Sequence, residues 1–140
     1  MTISPDRGGE IAVGYSNASG TWQPTVSDLF LPGQGFVVTT PTELVRWAGI
    51  YQTGTVGGPE PLNELTKDSV TVDDTARYGA GILESTSGVL FHDGEWSGEH
   101  TYFAVAPDRH TAIAMSCNSV DVTTYTSIAN TLQEIWSGER

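Results

Sequence analysis

His92-Asp93-Gly94, followed directly by Glu95, is the stretch of this 140-residue chain whose residue types could do chemistry. A neutral imidazole donates a hydrogen bond through one ring nitrogen and accepts through the other, so it can hold or pass a proton. Two further histidines, His100 and His110, follow at successive spacings of eight and ten residues and raise the question of a metal. Three histidines with nearby aspartates could ligate zinc, but these spacings place them at different ends of adjacent strands and not around one point, so no metal is expected. The plain structural reading of the triplet is that His92 ends a hairpin strand and Asp93-Gly94 is a turn.

The elements that must position it can be read from the pattern between Tyr78 and Asn118, residues 78–118. Gly79 to Glu84 and Gly88 to Phe91 are short apolar runs around Ser85-Thr86-Ser87-Gly88, a turn composition. Thr101 to Ala106 and Thr111 to Cys117 flank Pro107-Asp108-Arg109-His110, where proline pre-sets φ and aspartate can bond its own backbone. Asp121 then opens an amphipathic helix over residues 121–137. Its apolar positions Val122, Tyr125, Ile128, Ala129, Leu132, Ile135 and Trp136 recur at three- and four-residue spacing, with Gly138 placed to stop it.

Upstream, residues 1–39 read as an irregular wrap rich in Gly, Ser, Pro, Asn and Thr. Thr40-Pro41-Thr42-Glu43 is a capping box: Thr40 caps, Pro41 takes the first helical position and Glu43 reaches back to the cap. A helix is therefore expected over residues 40–54, with Leu44, Val45, Trp47, Ala48 and Tyr51 on its apolar face and Gly54 at its end. A loop from Gly54 to Pro61 and a short helical turn at Leu62 to Leu65 follow. The expected fold class is α+β: one domain with an antiparallel sheet of about three strands, covered by the C-terminal helix.

Composition narrows the function. The formal net charge of -11, with only six Lys and Arg, argues against nucleic acid, which needs clustered cations to neutralise phosphates. Cationic or neutral partners suit this surface better. No apolar run approaches the ~20 residues of a membrane span. Cys117 stands alone in an apolar strand, which excludes an intrachain disulfide and reads as an inert buried thiol. Gly54 to Gly58 lacks the Lys-Ser/Thr that a phosphate loop requires, so no cofactor is expected. The N-terminus carries no pattern of basic, apolar and small-residue regions, which in a piece of a longer chain leaves the compartment open.

The order of motifs resembles the serine-active-site hydrolases that include class C β-lactamases, D-alanyl-D-alanine carboxypeptidases and related esterases. Gly33-Gln34-Gly35-Phe36-Val37-Val38-Thr39-Thr40-Pro41-Thr42-Glu43-Leu44 is similar to the family's glycine-rich entry to a helix. Tyr78-Gly79-Ala80-Gly81 is similar to its YGLG strand, His92-Asp93-Gly94 to its His-x-Gly box, and Phe103-Ala104-Val105-Ala106-Pro107-Asp108-Arg109 to its LAVDPER hairpin. In that family the nucleophile lies in a Ser-x-x-Lys turn and the base in a Tyr-x-Asn loop, both upstream of the His-x-Gly strand. No Ser-x-x-Lys occurs here, and Tyr15-Ser16-Asn17, which spells Tyr-x-Asn, falls where the family has an ordinary structural segment. The resemblance implies the C-terminal part of a larger hydrolase, with Met1 an internal methionine and the chain inactive alone.

It also implies roles. Gly94 leaves room for a substrate along the strand, and the backbone N–H of Glu95 is aimed at an oxyanion. His92 and Asp93 stand near the substrate's polar end, with Asp93 turned either to the substrate or to the opposite face depending on register. Asp93, Glu95 and Glu99 make this neighbourhood acidic, which suits a neutral ester or amide, or a substrate with a free amine, better than a β-lactam or peptide carboxylate. In the resembled fold two N-terminal strands pair beside Thr111 to Cys117, so the chain is expected to leave an open strand edge and an exposed apolar patch. A homodimer, or association with an N-terminal segment, would cover both. The rival from another class is a non-catalytic binding or interaction domain on the same scaffold.

Overall fold

The computed structural model describes residues 11–25, 35, 37–54, 60–119 and 122–137. In chain order it begins with a small hairpin, β1 (Tyr15–Ser16) against β2 (Gln23–Pro24), where an irregular wrap was expected. The expected helix over 40–54 is two pieces, α1 (Pro41–Trp47) and α2 (Gly49–Thr53), joined at Ala48. Thr40 caps α1 as the sequence predicts, its hydroxyl accepting the Glu43 N–H at 3.2 Å, but the Glu43 carboxylate pairs with Arg46. Gly54 ends α2 in the left-handed region with φ of 62°, returning its N–H to the Ile50 carbonyl. α3 (Glu60–Lys67) is longer than the single turn expected at Leu62 to Leu65.

The remainder is a six-stranded antiparallel meander followed by a helix. Its strands are β3 (Val70–Thr71), β4 (Ala76–Tyr78), β5 (Leu83–Ser85), β6 (Leu90–Trp96), β7 (Glu99–Val105) and β8 (Ala112–Cys117), each beside its chain neighbour. The sheet thus has twice the strand number expected, because β3 and β4 are too short to show two-residue periodicity in sequence. α4 (Val122–Ser137) closes the chain. The glycine-rich positions Gly33, Gln34 and Phe36, the loop 55–59, Asp121 and Gly138 lie outside the described residues.

Turn chemistry fixes the register. Ser97 and Gly98 both have positive φ, 41° and 83°, which makes the β6–β7 connection a two-residue turn of the type that matches strand twist. Trp96 is therefore opposite Glu99, and β6 runs straight through His92-Asp93-Gly94, so the reading of Asp93-Gly94 as a turn is corrected. The β7–β8 turn falls where proline and aspartate place it. There the Ala106 N–H bonds the Thr111 carbonyl at 2.8 Å and the His110 N–H bonds Asp108 Oδ1 at 2.9 Å.

Alternation along the strands then sorts side chains onto two faces. One face packs α4: Val89, Tyr102 and Ala104 lie under Tyr125 and Ala129, with Cys117 at the margin. The other packs the short helices: Ile82, Leu90 and fully buried Val105 lie with Ala48, and half-buried Leu65 of α3 joins them. α3 is held close by Gly79, where any Cβ would lie 1.9 Å from the Leu65 carbonyl oxygen. β8 ends the strand order; among the described residues no strand pairs with Ala112–Cys117 on its outer side, and just beyond it Tyr15 of β1 bridges Ser119 and donates its N–H to the Asn118 carbonyl at 2.9 Å. Ile128 and Ile135 of α4 are 41% and 57% exposed, so the apolar stripe of this helix is only partly used by the sheet.

Candidate functional site

The site is built on the half of β6 that outruns its neighbour. β5 starts at Leu83, opposite Phe91, and pairs with β6 only at Phe91 and Leu90, whereas β7 accompanies β6 all the way to Trp96. In an antiparallel ladder successive residues turn their backbone groups alternately to one neighbour and the other. With Trp96 and Glu99 closing the turn, the N–H and C=O of Asp93 and Glu95 point away from β7, toward the side β5 has left. The Ser85 N–H taking the Val89 carbonyl at 2.9 Å fixes the same parity on the β5 side.

His92 sits at the start of this open stretch, half-buried. Its Nδ1 bonds the backbone carbonyl of Asp93 at 2.5 Å and its Nε2 lies 3.1 Å from the hydroxyl of Tyr78. The two rings meet edge-on, with centroids 5.8 Å apart. β5 separates β4 from β6 elsewhere, but past Leu83 nothing of that strand stands between Tyr78 and His92. Gly94, two residues on, lies on the His92 face opposite Thr101, where any Cβ would come within 2.7 Å of the Thr101 hydroxyl oxygen.

The register places Asp93 and Glu95 on the other face, toward α4. Asp93 is opposite Tyr102 and Glu95 opposite His100. Burial, and then the Asp93 carboxylate, push the Tyr102 and Tyr125 phenols above the usual tyrosine range. Of the three carboxylates expected around the box, only Glu99 shares the His92 face, opposite Trp96. The surface beside His92 is therefore less acidic than the linear sequence suggests.

The other histidines are elsewhere. His100 is buried beneath α4, and His110 meets Gln52 of α2 in the β7–β8 turn. Among the described residues no three His, Cys, Asp or Glu side chains gather to hold a metal ion. Tyr15 belongs to β1 and packs on the β6–β7 turn, where a Cβ on Gly98 would lie 2.7 Å from its nitrogen. Two surface depressions, about 600 Å³ along α4 and about 380 Å³ between α1 and Ala114 of β8, do not include His92. Among the described residues no helix is long and apolar enough to cross a membrane.

Sequence reasoning brought His92, Gly94 and Glu95 together correctly as neighbours on one strand, but gave Tyr78 no part beyond its strand motif. The signal available was positional: Tyr78 ends the strand that lies two places from β6 in a meander. Comparison of the chain with protein-family models, with curated proteins and with solved structures finds no match.

Proposed function

We propose that this chain is the C-terminal part of a serine-nucleophile acyl hydrolase of the β-lactamase, D-alanyl-D-alanine carboxypeptidase and esterase kind, supplying the His-x-Gly strand. The observation that carries this reading is the open backbone edge of β6. An acyl group lying along it would meet the outward N–H of Glu95 where negative charge develops on its carbonyl oxygen, a donor worth roughly 2.7 to 4 kcal/mol of barrier. Gly94 keeps the His92 face clear, and His92 lies at the end of the open stretch where it can meet the substrate's polar group. A small-molecule ester, amide or peptide is the substrate class, and Glu99, which alone of the three carboxylates shares the His92 face, is the group that would favour a free amine on it. The nucleophile and base come from another segment, and the outer edge of β8 and the exposed Ile128 and Ile135 of α4 are surfaces where that segment, or a second copy of the chain, would dock.

The test is the intact mass of the full gene product and its labelling by a fluorescent penicillin or a fluorophosphonate, beside the 140-residue chain. Label on the long form alone is expected. Label on neither would favour the second reading, a non-catalytic binding or interaction domain on the same scaffold.

A further inference from the structure

We infer that Tyr78 is a positioning residue for His92, and that together with the Asp93 carbonyl it fixes the imidazole as the Nδ1–H tautomer. The assignment follows from what each partner can do. A backbone carbonyl only accepts hydrogen bonds, so the contact between Nδ1 and the Asp93 oxygen requires a proton on Nδ1. A neutral ring then has a bare lone pair on Nε2, and the Tyr78 hydroxyl at 3.1 Å must be the donor to it. Free histidine favours the opposite tautomer, so the fold has selected the minor form.

The backbone and the sheet supply the reason that this holds. Because Asp93 is at a position whose C=O faces the side vacated by β5, its carbonyl is available to the His92 ring one residue before it. Tyr78 reaches the same space from β4 and approaches edge-on, which leaves the phenol oxygen pointed at Nε2 and not the ring face. At 37% exposure Tyr78 remains open to solvent on one side, and its oxygen keeps lone pairs with which to accept a hydrogen bond. A proton arriving at that oxygen from a substrate ammonium can be matched by transfer of the tyrosine's own proton to Nε2, leaving a neutral amine and an imidazolium still tied to Asp93 through Nδ1. The tyrosine ends as it began, and the charge resides on His92.

This relay rests on the acyl-transfer reading only for its use; the tautomer does not depend on it. The deciding experiment is a long-range proton–nitrogen correlation spectrum of the 140-residue chain with labelled histidine at neutral pH, with His92 assigned by its loss in His92→Gln. The expected pattern is a protonated Nδ1 and an unprotonated Nε2 in the native chain. Tyr78→Phe keeps the ring contact and removes only the hydroxyl, so it should shift Nε2 downfield toward an unbonded nitrogen. A native His92 protonated on Nε2 would overturn the inference, as would a folded Tyr78→Phe chain with an unchanged Nε2 signal. If that variant does not fold, the native tautomer decides alone. Failure of active-site labelling on the long gene product, with the tautomer as expected, would remove the hydrolase reading and leave the Tyr78–His92 pair standing.

Discussion

The ring of Tyr125 lies against that of buried His100, with centroids 5.0 Å apart and planes inclined by 36°. The Tyr125 hydroxyl donates to the backbone carbonyl of Thr101, which ties α4 to β7, while His100 Nε2 has no hydrogen-bond partner among the described residues. A buried polar atom left unpaired costs about 1–3 kcal/mol, whereas a made hydrogen bond contributes about 1. The two substitutions should therefore act in opposite directions. Tyr125→Phe is expected to lower stability by about 1 kcal/mol, and His100→Phe, which keeps a ring against Tyr125 and deletes the orphaned nitrogen, to raise it by a similar amount. Urea unfolding midpoints at unchanged slope measure both, and a strongly destabilised His100→Phe chain would mean that Nε2 has a partner outside the described residues.

Stability should fall in alkali. Burial first, and the Asp93 carboxylate second, hold the Tyr125 phenol above the usual tyrosine range, and the same two causes act on Tyr102. In the unfolded chain both tyrosines lose their protons near pH 10. Above that pH the folded state keeps protons that the unfolded state has released, so stability that is fully present below about pH 10 is lost as pH rises. Asp93→Asn removes the smaller cause and should bring both titrations part of the way down. Tyrosinate absorbance followed against pH, with urea midpoints at the same points, checks the direction.

Arg109 occupies the left-handed region with φ of 62°, and its guanidinium Nη1 donates to the carbonyls of Gly88 at 3.0 Å and Ala106 at 3.2 Å. One side chain thus joins the β5–β6 turn to the β7–β8 turn. Arg109→Ala loses both bonds and keeps the backbone cost, for an expected loss of about 1–3 kcal/mol. Arg109→Gly loses the same bonds but relieves the left-handed conformation, so it should be less damaging than alanine by about 1 kcal/mol. Thermal unfolding of the two variants side by side tests the order; equal losses would mean the turn relaxes once the guanidinium is gone.

On the proposed function, Gly94→Val places a side chain against Thr101 on the face where a substrate would lie. Thr101 is exposed and can rotate away, and valine suits a strand, so the fold should survive. Displacing a substrate by about 1 Å costs on the order of 10²-fold in rate. Fluorophosphonate labelling of the long gene product should slow by about that factor, with the urea midpoint little changed. Labelling at the native rate would place the acyl site away from β6.

The α+β class, the β7–β8 hairpin around Pro107-Asp108, the cap at Thr40 and the terminal helix were all legible in the residues, because each rests on local chemistry: turn propensity, a capping hydroxyl, or apolar spacing that a helix must satisfy by itself. That His92, Gly94 and Glu95 share one strand was also legible, since they are neighbours in sequence. What the residues alone could not decide was direction. Whether Asp93 and Glu95 flank the site or belong to the α4 face of the sheet depends on a turn two residues beyond Glu95, at Ser97-Gly98, whose two positive φ values set the register of β6 against β7. A shift of one residue would exchange every side chain between the faces. Likewise the meeting of Tyr78 with His92, fourteen residues apart, exists only because β5 starts late enough in the sheet to leave a gap between β4 and β6.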